Sequence, residues 1–119
     1  MPTAIAATAA YRNKVATAAA TGGAIPKATW LAVGSGDAPY SPDTDTALQV
    51  EVFRVTTTNE VSGASMTVRG VVSGEDVGEN VVREVGVFAA DGTLMGRRVV
   101  APKELEPETE IEFEIVFEY

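Results

Sequence analysis

The sequence predicts an α+β fold, mainly an antiparallel β-sandwich with one N-terminal alanine-rich helix. Three observations lead to this class: a single helical segment near the start, several segments of β-preferring residues separated by turn signals, and a strict two-residue alternation near the C-terminal end. The length of 119 residues and the hydrophobic content of 45% fit one globular domain over residues 1–119.

The first predicted element is a helix from Thr8 to Thr21. Thr8 is a typical N-cap residue, the segment is rich in alanine, and Gly22-Gly23 supplies a left-handed stop. Tyr11 and Val15 lie four residues apart on one face, so the helix is expected to pack closely on its own sheet. A helix that forms a trimer is the alternative.

Six extended segments are predicted after the helix. A long loop rich in Gly, Pro, Ser and Asp follows the first of them, and Asn59, Ser73-Gly74 and Asp91-Gly92 are turn signals between later ones. Asp91-Gly92 is the strongest hairpin signal in the chain. The predicted strands cover residues 27–34, 50–57, 65–72, 80–90, 93–101 and 109–119.

Both faces of the segment from Val81 to Ala90 are apolar. Strict alternation places Val81, Val85 and Val87 on one face and Val82 and Phe88 on the other, while Arg83 and Glu84 place one charge on each face. A strand of this kind is normally covered on both sides. The fold of a small chain covers one face, so a helix or a neighbouring protein is expected on the second.

The last strand alternates between apolar and acidic residues. Ile111, Phe113, Ile115, Phe117 and Tyr119 occupy odd positions, and glutamates occupy positions 104, 106, 108, 110, 112 and 114. This period of two predicts one core face and one acidic face. The acidic face is interpreted as a solvated surface that blocks aggregation at the sheet edge; a docking surface for a basic partner is the alternative.

Composition excludes most catalytic and nucleic-acid-binding classes. The chain has no Cys and no His, so thiol chemistry, imidazole bases and the common zinc sites are excluded. A net charge of −8 without a basic cluster argues against nucleic acid as a partner. No apolar run approaches the ~18 residues that a membrane span needs, and the N-terminus does not have the pattern of a signal peptide. A location in a reducing cytoplasm is expected.

No catalytic, cofactor-binding or metal-binding residues are predicted. Gly34-Ser35-Gly36 resembles the start of a phosphate loop but lacks the following lysine, so a turn explains it better. Asp37, Asp43 and Asp45 do not have the spacing of a calcium loop. The glutamates of one strand cannot face each other across a cleft as the carboxylates of a glycosidase do. The chain is therefore not expected to be an enzyme.

Four phrases of the sequence form a pattern: AVGSG at Ala32–Gly36, the spacing of Leu48, Glu51 and Arg54, REVGVF at Arg83–Phe88, and DGTLMG at Asp91–Gly96. This pattern resembles the N-terminal attachment module of phage tail-collar fibre proteins of contractile tails. Ser35-Gly36 replaces the usual Asp-Gly of the family, and Val85 and Val87 replace the commoner Ile and Leu. The resemblance extends over nearly the whole chain.

This resemblance implies a non-enzymatic structural protein of a phage or prophage tail that joins a receptor-binding fibre to the baseplate. The implied partners are tail or baseplate proteins and further copies of the chain, with a trimer favoured. The implied location is the virion tail, after assembly in the host cytoplasm. The implied structural and assembly motif consists of Glu51, Arg54, Arg83, Glu84, Gly86, Asp91 and Gly92.

Family members usually continue into a fibre shaft and a receptor-binding tip, whereas this sequence ends at Tyr119. It is thus either a stand-alone tail protein or a piece of a longer fibre, and a receptor-binding role is not expected.

Two other function classes are weighed beside the structural role. A small carbohydrate-binding or host-surface-binding β-sandwich would need exposed aromatic residues, but Trp30 lies in an apolar run. An enzyme would need a cleft with perturbed titratable groups.

Two structural expectations follow from the motif. Arg83 should find a carboxylate, either that of Glu51 or one near Glu84, because an unpaired buried charge is costly; Glu84 in turn needs a cation such as Arg54, or backbone donors. The two-sided strand, the smooth helix and the acidic last strand together predict one apolar patch that includes helix residues. That patch would bind a tail component or two further copies.

Overall fold

The computed structural model describes residues 4–119. Its elements are α1 (Ala9–Thr21), β1 (Ala28–Gly34), β2 (Glu51–Thr56), β3 (Thr58–Ser62), β4 (Ser65–Ser73), α2 (Gly74–Val77), β5 (Val82–Ala89), β6 (Leu94–Lys103) and β7 (Glu110–Glu118). The strands form a four-stranded sheet of order β2-β1-β5-β6 and a three-stranded sheet of order β3-β4-β7, in which all neighbouring strands are antiparallel. The predicted fold class is confirmed.

The main core lies between the two sheets. It is built from the apolar residues that each strand turns inward, such as Leu31 and Val33 of β1, Val68 of β4, Val87 of β5 and Ile115 of β7. Each of these side chains is at most 1% exposed. Burial of this apolar surface is the main favourable contribution to folding.

The predicted helix is confirmed with both of its caps. The Thr8 hydroxyl accepts a hydrogen bond from the backbone N–H of Tyr11 at 3.1 Å, and Gly22 ends the helix with a φ of 75°. Thr8 is fully buried, and its hydroxyl also donates to the backbone carbonyl of Leu94 in β6. The start of α1 is therefore fixed to the edge of the four-stranded sheet.

One side of α1 packs on the core and the other side is smooth. Tyr11 and Ala18 are buried, and Val15 is half-buried against the main core. Ala16 and Ala19 are exposed. The helix thus packs on its own sheet as expected, and an exposed alanine surface remains.

The Asp91-Gly92 hairpin is confirmed. β5 and β6 pair in an antiparallel manner, and the backbone N–H of Ala89 donates to the carbonyl of Thr93 at 2.8 Å across the turn. Gly92 has a φ of 91°, which residues with a side chain rarely adopt.

The turn predicted at Asn59 was wrong, whereas Ser73-Gly74 ends its strand as predicted. Asn59 lies inside β3, and all five residues of this strand are exposed, so no hydrophobic alternation marks it in the sequence. Ser73-Gly74 starts the short helix α2, because the Ser73 hydroxyl accepts from the backbone N–H of Asp76 and acts as the N-cap.

The alternation of the last strand is confirmed over β7. Phe113, Ile115 and Phe117 are buried, whereas Glu110 and Glu112 are exposed on the opposite face.

Two details of the prediction for the last strand were wrong. Glutamates 104, 106 and 108 lie in the connection before β7, where the backbone N–H of Thr109 closes a turn on the carbonyl of Glu106 around Pro107. Tyr119 lies beyond β7 and is 60% exposed.

Candidate functional site

Each of the four family-like phrases contributes a residue to one face of the four-stranded sheet. This outer face, which is turned away from the three-stranded sheet, has a second buried cluster. The cluster contains Ala32, Leu48, Phe88 and Leu94, with Trp30 partly buried against it. Leu48 belongs to the β1–β2 loop (residues 35–50), which folds back over the sheet.

The second face of β5 is therefore covered by the same chain. The prediction that a helix or a neighbouring protein covers it was wrong, because Leu48 lies on Gly86 and closes the face. Strict alternation also failed at Val82, which joins the main core together with Val85. The pairing of β5 with β6 is irregular at the same place, with extra residues in β6 between the partners of Val82 and Glu84.

A single carboxylate holds the β1–β2 loop on the outer face. Glu84 of β5 is fully buried and accepts four hydrogen bonds. Its Oε2 accepts from the backbone N–H groups of Gly36 and Val50, each at 2.8 Å. Its Oε1 accepts from the backbone N–H of Gln49 at 2.8 Å and from Nε of Arg97 at 2.7 Å. The start and the end of the loop are thus bound to the same side chain.

The two glycines of the AVGSG phrase make room for this carboxylate. A Cβ atom on Gly34 would lie 2.6 Å from Oε2 of Glu84 and 2.3 Å from the carbonyl oxygen of Val50. A Cβ atom on Gly36 would also lie 2.6 Å from Oε2. The close approach of backbone and carboxylate therefore requires residues without a side chain.

Arg97 of β6 is the cation of the buried pair. Its side chain is 2% exposed, and Nη1 lies 3.5 Å from Oδ2 of Asp45 in the β1–β2 loop. Asp45 in turn accepts a hydrogen bond from the backbone N–H of Ser41 at 3.1 Å. Nη2 of Arg97 has no hydrogen-bond partner among residues 4–119. The guanidinium thus connects β5, β6 and the middle of the loop.

Hydrogen bonding keeps Glu84 ionised despite its burial. Burial is the largest effect and raises the pKa of Glu84. The bonds from the Val50 backbone, the Arg97 side chain and the backbones of Gln49 and Gly36 lower it, and the net result is a pKa below the ordinary value. The charged form is therefore the one that the folded chain stabilises.

Tyr40 anchors the middle of the β1–β2 loop to the N-terminal segment. Its hydroxyl donates to the backbone carbonyl of Ala6 at 2.6 Å. Burial, with a smaller contribution from the charge of Asp45, raises the pKa of Tyr40 to about 12. The phenol thus remains a neutral hydrogen-bond donor at physiological pH.

Glu51 and Arg54 form a pair of their own. Arg54 donates from Nε and Nη2 to the two carboxylate oxygens of Glu51 at 2.8 and 2.7 Å. The guanidinium carbon of Arg54 lies 4.4 Å from the centre of the Phe88 ring. This bidentate pair therefore closes the outer face over the aromatic member of the second cluster.

The predicted ion pairing of Arg83 was wrong. Arg83 is half-buried and forms no salt bridge with any residue from 4 to 119. Glu51 pairs with Arg54, and Glu84 pairs with Arg97. Truncation of Arg83 is thus not expected to leave a buried carboxylate without a partner.

Asp91 and Gly92 lie at the other end of β5, away from Glu84. Asp91 pairs with Lys14 of α1 at 2.6 Å and accepts from the backbone N–H of Thr93 at 3.0 Å. The hydrogen bond from Lys14, followed by that from Thr93, lowers the pKa of Asp91 to about 2. This turn therefore contacts α1 and takes no part in the Glu84 network.

The expectation that Glu84 finds a cation or backbone donors is confirmed, but sequence reasoning identified neither Arg97 nor the loop residues that supply the backbone donors. A signal for Arg97 existed, because the hairpin at Asp91-Gly92 places Arg97 opposite Gly86, one step along the same face from Glu84. The loop donors had no such signal, since any residue except proline supplies a backbone N–H.

The described residues show no metal cluster and no membrane-spanning helix. Between residues 4 and 119, no group of three or more Asp, Glu, His or Cys side chains could hold a metal ion. Over the same range, no helix is long and apolar enough to cross a membrane.

Comparison with known proteins gives one family match. The family described as phage tail-collar fibre protein, N-terminal, matches residues 1–104. No curated protein and no solved structure matches the chain. The matched range includes the whole Glu84–Arg97 network and the second cluster, and it ends before β7.

We predict that Glu84→Gln lowers the free energy of unfolding by about 3–5 kcal/mol, because Arg97 would remain buried without its carboxylate. Urea denaturation at neutral pH measures the loss. The matched control is Glu51→Gln, which breaks a partly exposed pair and should cost no more than about 1 kcal/mol. An equal loss in the two variants would contradict the assigned role of Glu84.

The stability difference between the wild type and Glu84→Gln should also depend on pH. A carboxylate whose pKa is lowered in the folded state contributes its stability fully above its ordinary pKa of about 4.3 and loses it as the pH falls through the folded value. The difference should therefore be constant from pH 7 down to about pH 5 and shrink at lower pH. Denaturation series at several pH values test this, and a difference that grows on acidification would show that Glu84 is protonated in the folded chain.

Proposed function

Because the chain belongs to the phage tail-collar fibre protein N-terminal family, we propose that it attaches a tail fibre to the baseplate of a phage or prophage tail. Family membership makes the chain a structural component of a virion tail and implies contacts with other tail proteins. Attachment to the baseplate and assembly in the host cytoplasm are parts of the proposal.

The observation that carries the proposal is that the motif residues make their contacts within their own chain. The four hydrogen bonds of Glu84 are directed at its own chain, and Glu51, Arg54 and Gly86 close the same face. A catalytic carboxylate must be within reach of a substrate, whereas this one is fully buried. The motif therefore supports a rigid, non-enzymatic scaffold. The single core between the two sheets supports one domain over residues 1–119.

A trimer is the proposed oligomeric state, and the exposed side of α1 is its proposed interface. Ala16, Ala19 and Ala20 are exposed on α1, and small side chains allow another surface to approach the helix closely. Ile25, just after the helix, adds a side chain that is 50% exposed. The acidic face of β7 would remain in solvent and keep the free protein soluble.

Carbohydrate binding is not carried forward as a second function. Trp30, the one tryptophan, is partly buried against the second cluster on the outer face. A sugar site needs an aromatic ring that is open to stacking, and the exposed Tyr119 already stacks on Phe117, with ring centroids 6.4 Å apart.

We predict that Ala19→Glu prevents assembly through α1. Ala19 is exposed in the single chain, so the fold should persist, while a buried charge at a helix interface would be unfavourable. Light scattering over a range of concentrations measures the mass, and incorporation into tails measures the function. Val15→Glu is unsuitable because Val15 packs against the main core.

The matched control is Ala64→Glu, which places the same charge on an exposed alanine in the turn between β3 and β4. It should change neither the mass nor the incorporation. If Ala19→Glu also leaves both unchanged while the fold is intact, α1 is not the assembly surface.

A further inference from the structure

The two sheets leave an open cleft between the strands at their edges. β6 ends the four-stranded sheet and β7 ends the three-stranded sheet. Between them lies a cavity of about 490 Å³, the β6–β7 cleft. Val85, Val100, Ile111, Phe113 and Ile115 extend the main core into this cleft, and Val99 and Ala101 add to its apolar lining. Its charged lining consists of Arg98 and Lys103 of β6 and Glu112 and Glu114 of β7.

β7 presents unpaired backbone groups to this cleft. The carbonyl of Val116 accepts a hydrogen bond from the backbone N–H of Ile5 at 2.9 Å, and Ile5 bridges in parallel to β7 at Phe117. The backbone groups of alternate residues in a strand point to the same edge, so those of Glu112 and Glu114 point the same way as Val116. Neither residue has a strand partner on this edge among residues 4–119.

β6 presents a similar edge from the other side. The carbonyl of Met95 accepts from the backbone N–H of Thr8 at 2.8 Å, and the strand then continues past Val99 and Ala101 without a partner on that edge in the described chain. The segment from Ile5 to Thr8 thus joins the two sheets at one end of the cleft. Within residues 4–119 the rest of the cleft is open, and the bridge of Ile5 to Phe117 is a strand-like contact at this edge of β7.

The side chains around the cleft define the pattern of an added strand. A residue opposite Ile111, Phe113 or Ile115 would point into the apolar lining. A residue opposite Glu110 or Glu112 would point to the acidic face, where both glutamates are exposed and form no salt bridge within residues 4–119. An added strand should therefore alternate between apolar and basic residues.

We propose that the β6–β7 cleft binds an extended segment of another tail protein, in which apolar residues alternate with Lys or Arg. This inference rests on the proposed function for the identity of the partner as a tail protein. The free edge from Glu110 to Glu114 has a length of about 17 Å at ~3.3 Å per residue, which suits a strand of about five residues. Backbone hydrogen bonds give affinity, and the alternation of side chains gives specificity.

Charge favours such a partner over a second copy of this chain. Pairing of β7 with another β7 would place glutamates opposite glutamates, and like charges directly opposite each other destabilise a strand pair. A strand that turns Lys or Arg towards Glu110 and Glu112 is attracted instead, while the cations Arg98 and Lys103 line the β6 side of the cleft.

The test uses the full 119-residue chain and a seven-residue peptide of alternating lysine and valine with blocked ends. Nuclear magnetic resonance titration should shift the amide signals of residues 98–103 and 111–115 and give a dissociation constant. In an antiparallel pair the residue opposite Glu112 directs its backbone N–H at β7, and in a parallel pair the residues next to it do. The same peptide with every residue N-methylated keeps its charge but loses those donors in either orientation, and it should bind at least tenfold more weakly.

Two variants of the chain test the side-chain pattern. Glu112→Lys should weaken binding of the lysine–valine peptide about fivefold, because an attractive cross-strand pair becomes repulsive. The matched control is Glu118→Lys, an exposed position of β7 outside the cleft, which should change binding less than twofold.

Several results would overturn the proposal. One is that the peptide does not bind to the cleft, and another is that the N-methylated peptide binds equally well. Binding that appears only when residues 1–3 are deleted would assign the cleft to the N-terminal residues of the chain itself. A smaller oligomer in Glu112→Lys would assign the cleft to a second copy. If the peptide experiments fail but Ala19→Glu still blocks incorporation into tails, the proposed function remains intact and the partner binds elsewhere.

Discussion

The buried carboxylate of Glu84 is the constraint on which the outer face depends. A charge without solvent costs several kcal/mol unless hydrogen bonds and an opposite charge compensate it, and here three backbone N–H groups and Arg97 do so. Those donors come from both ends of the β1–β2 loop and from β6. Any displacement of the loop would leave the carboxylate short of donors, so we infer that the main role of the pair is to fix one arrangement of the loop.

This constraint explains why phrases that are far apart in the sequence form one unit. AVGSG supplies glycines that let the backbone approach Glu84, and the loop then returns to place Leu48 on Gly86. The replacement of the usual aspartate by Ser35 does not disturb the contact, because Ser35 acts through its backbone N–H, which donates to the carbonyl of Val50 at 2.9 Å. The replacements at Val85 and Val87 stay within the core as apolar residues. The family-like motif is thus the framework of a loop over a sheet.

The parts of the fold that depend on local chemistry were predictable from the sequence. The caps of α1, the Asp91-Gly92 turn and the alternation of β7 each arise from residues close in the chain. β3 was not predictable, since all of its residues are exposed and its position depends on pairing with β4. The individual partners of Glu84 were not predictable either. Alternation places Arg83 and Glu84 on opposite faces of the strand, but it does not reveal which of the two faces the β1–β2 loop, which is distant in sequence.

Glu84 fixes both ends of the β1–β2 loop to the sheet and makes the outer face a scaffold, while α1 and the β6–β7 cleft are the surfaces that we propose for assembly. Amide hydrogen exchange tests the role of Glu84 most directly. The amides of Gly36, Gln49 and Val50 should exchange as slowly as that of Val33 in the centre of β1, since they should open only with the core. Exchange of these three amides as fast as that of the exposed turn residue Gly63 would contradict the claim.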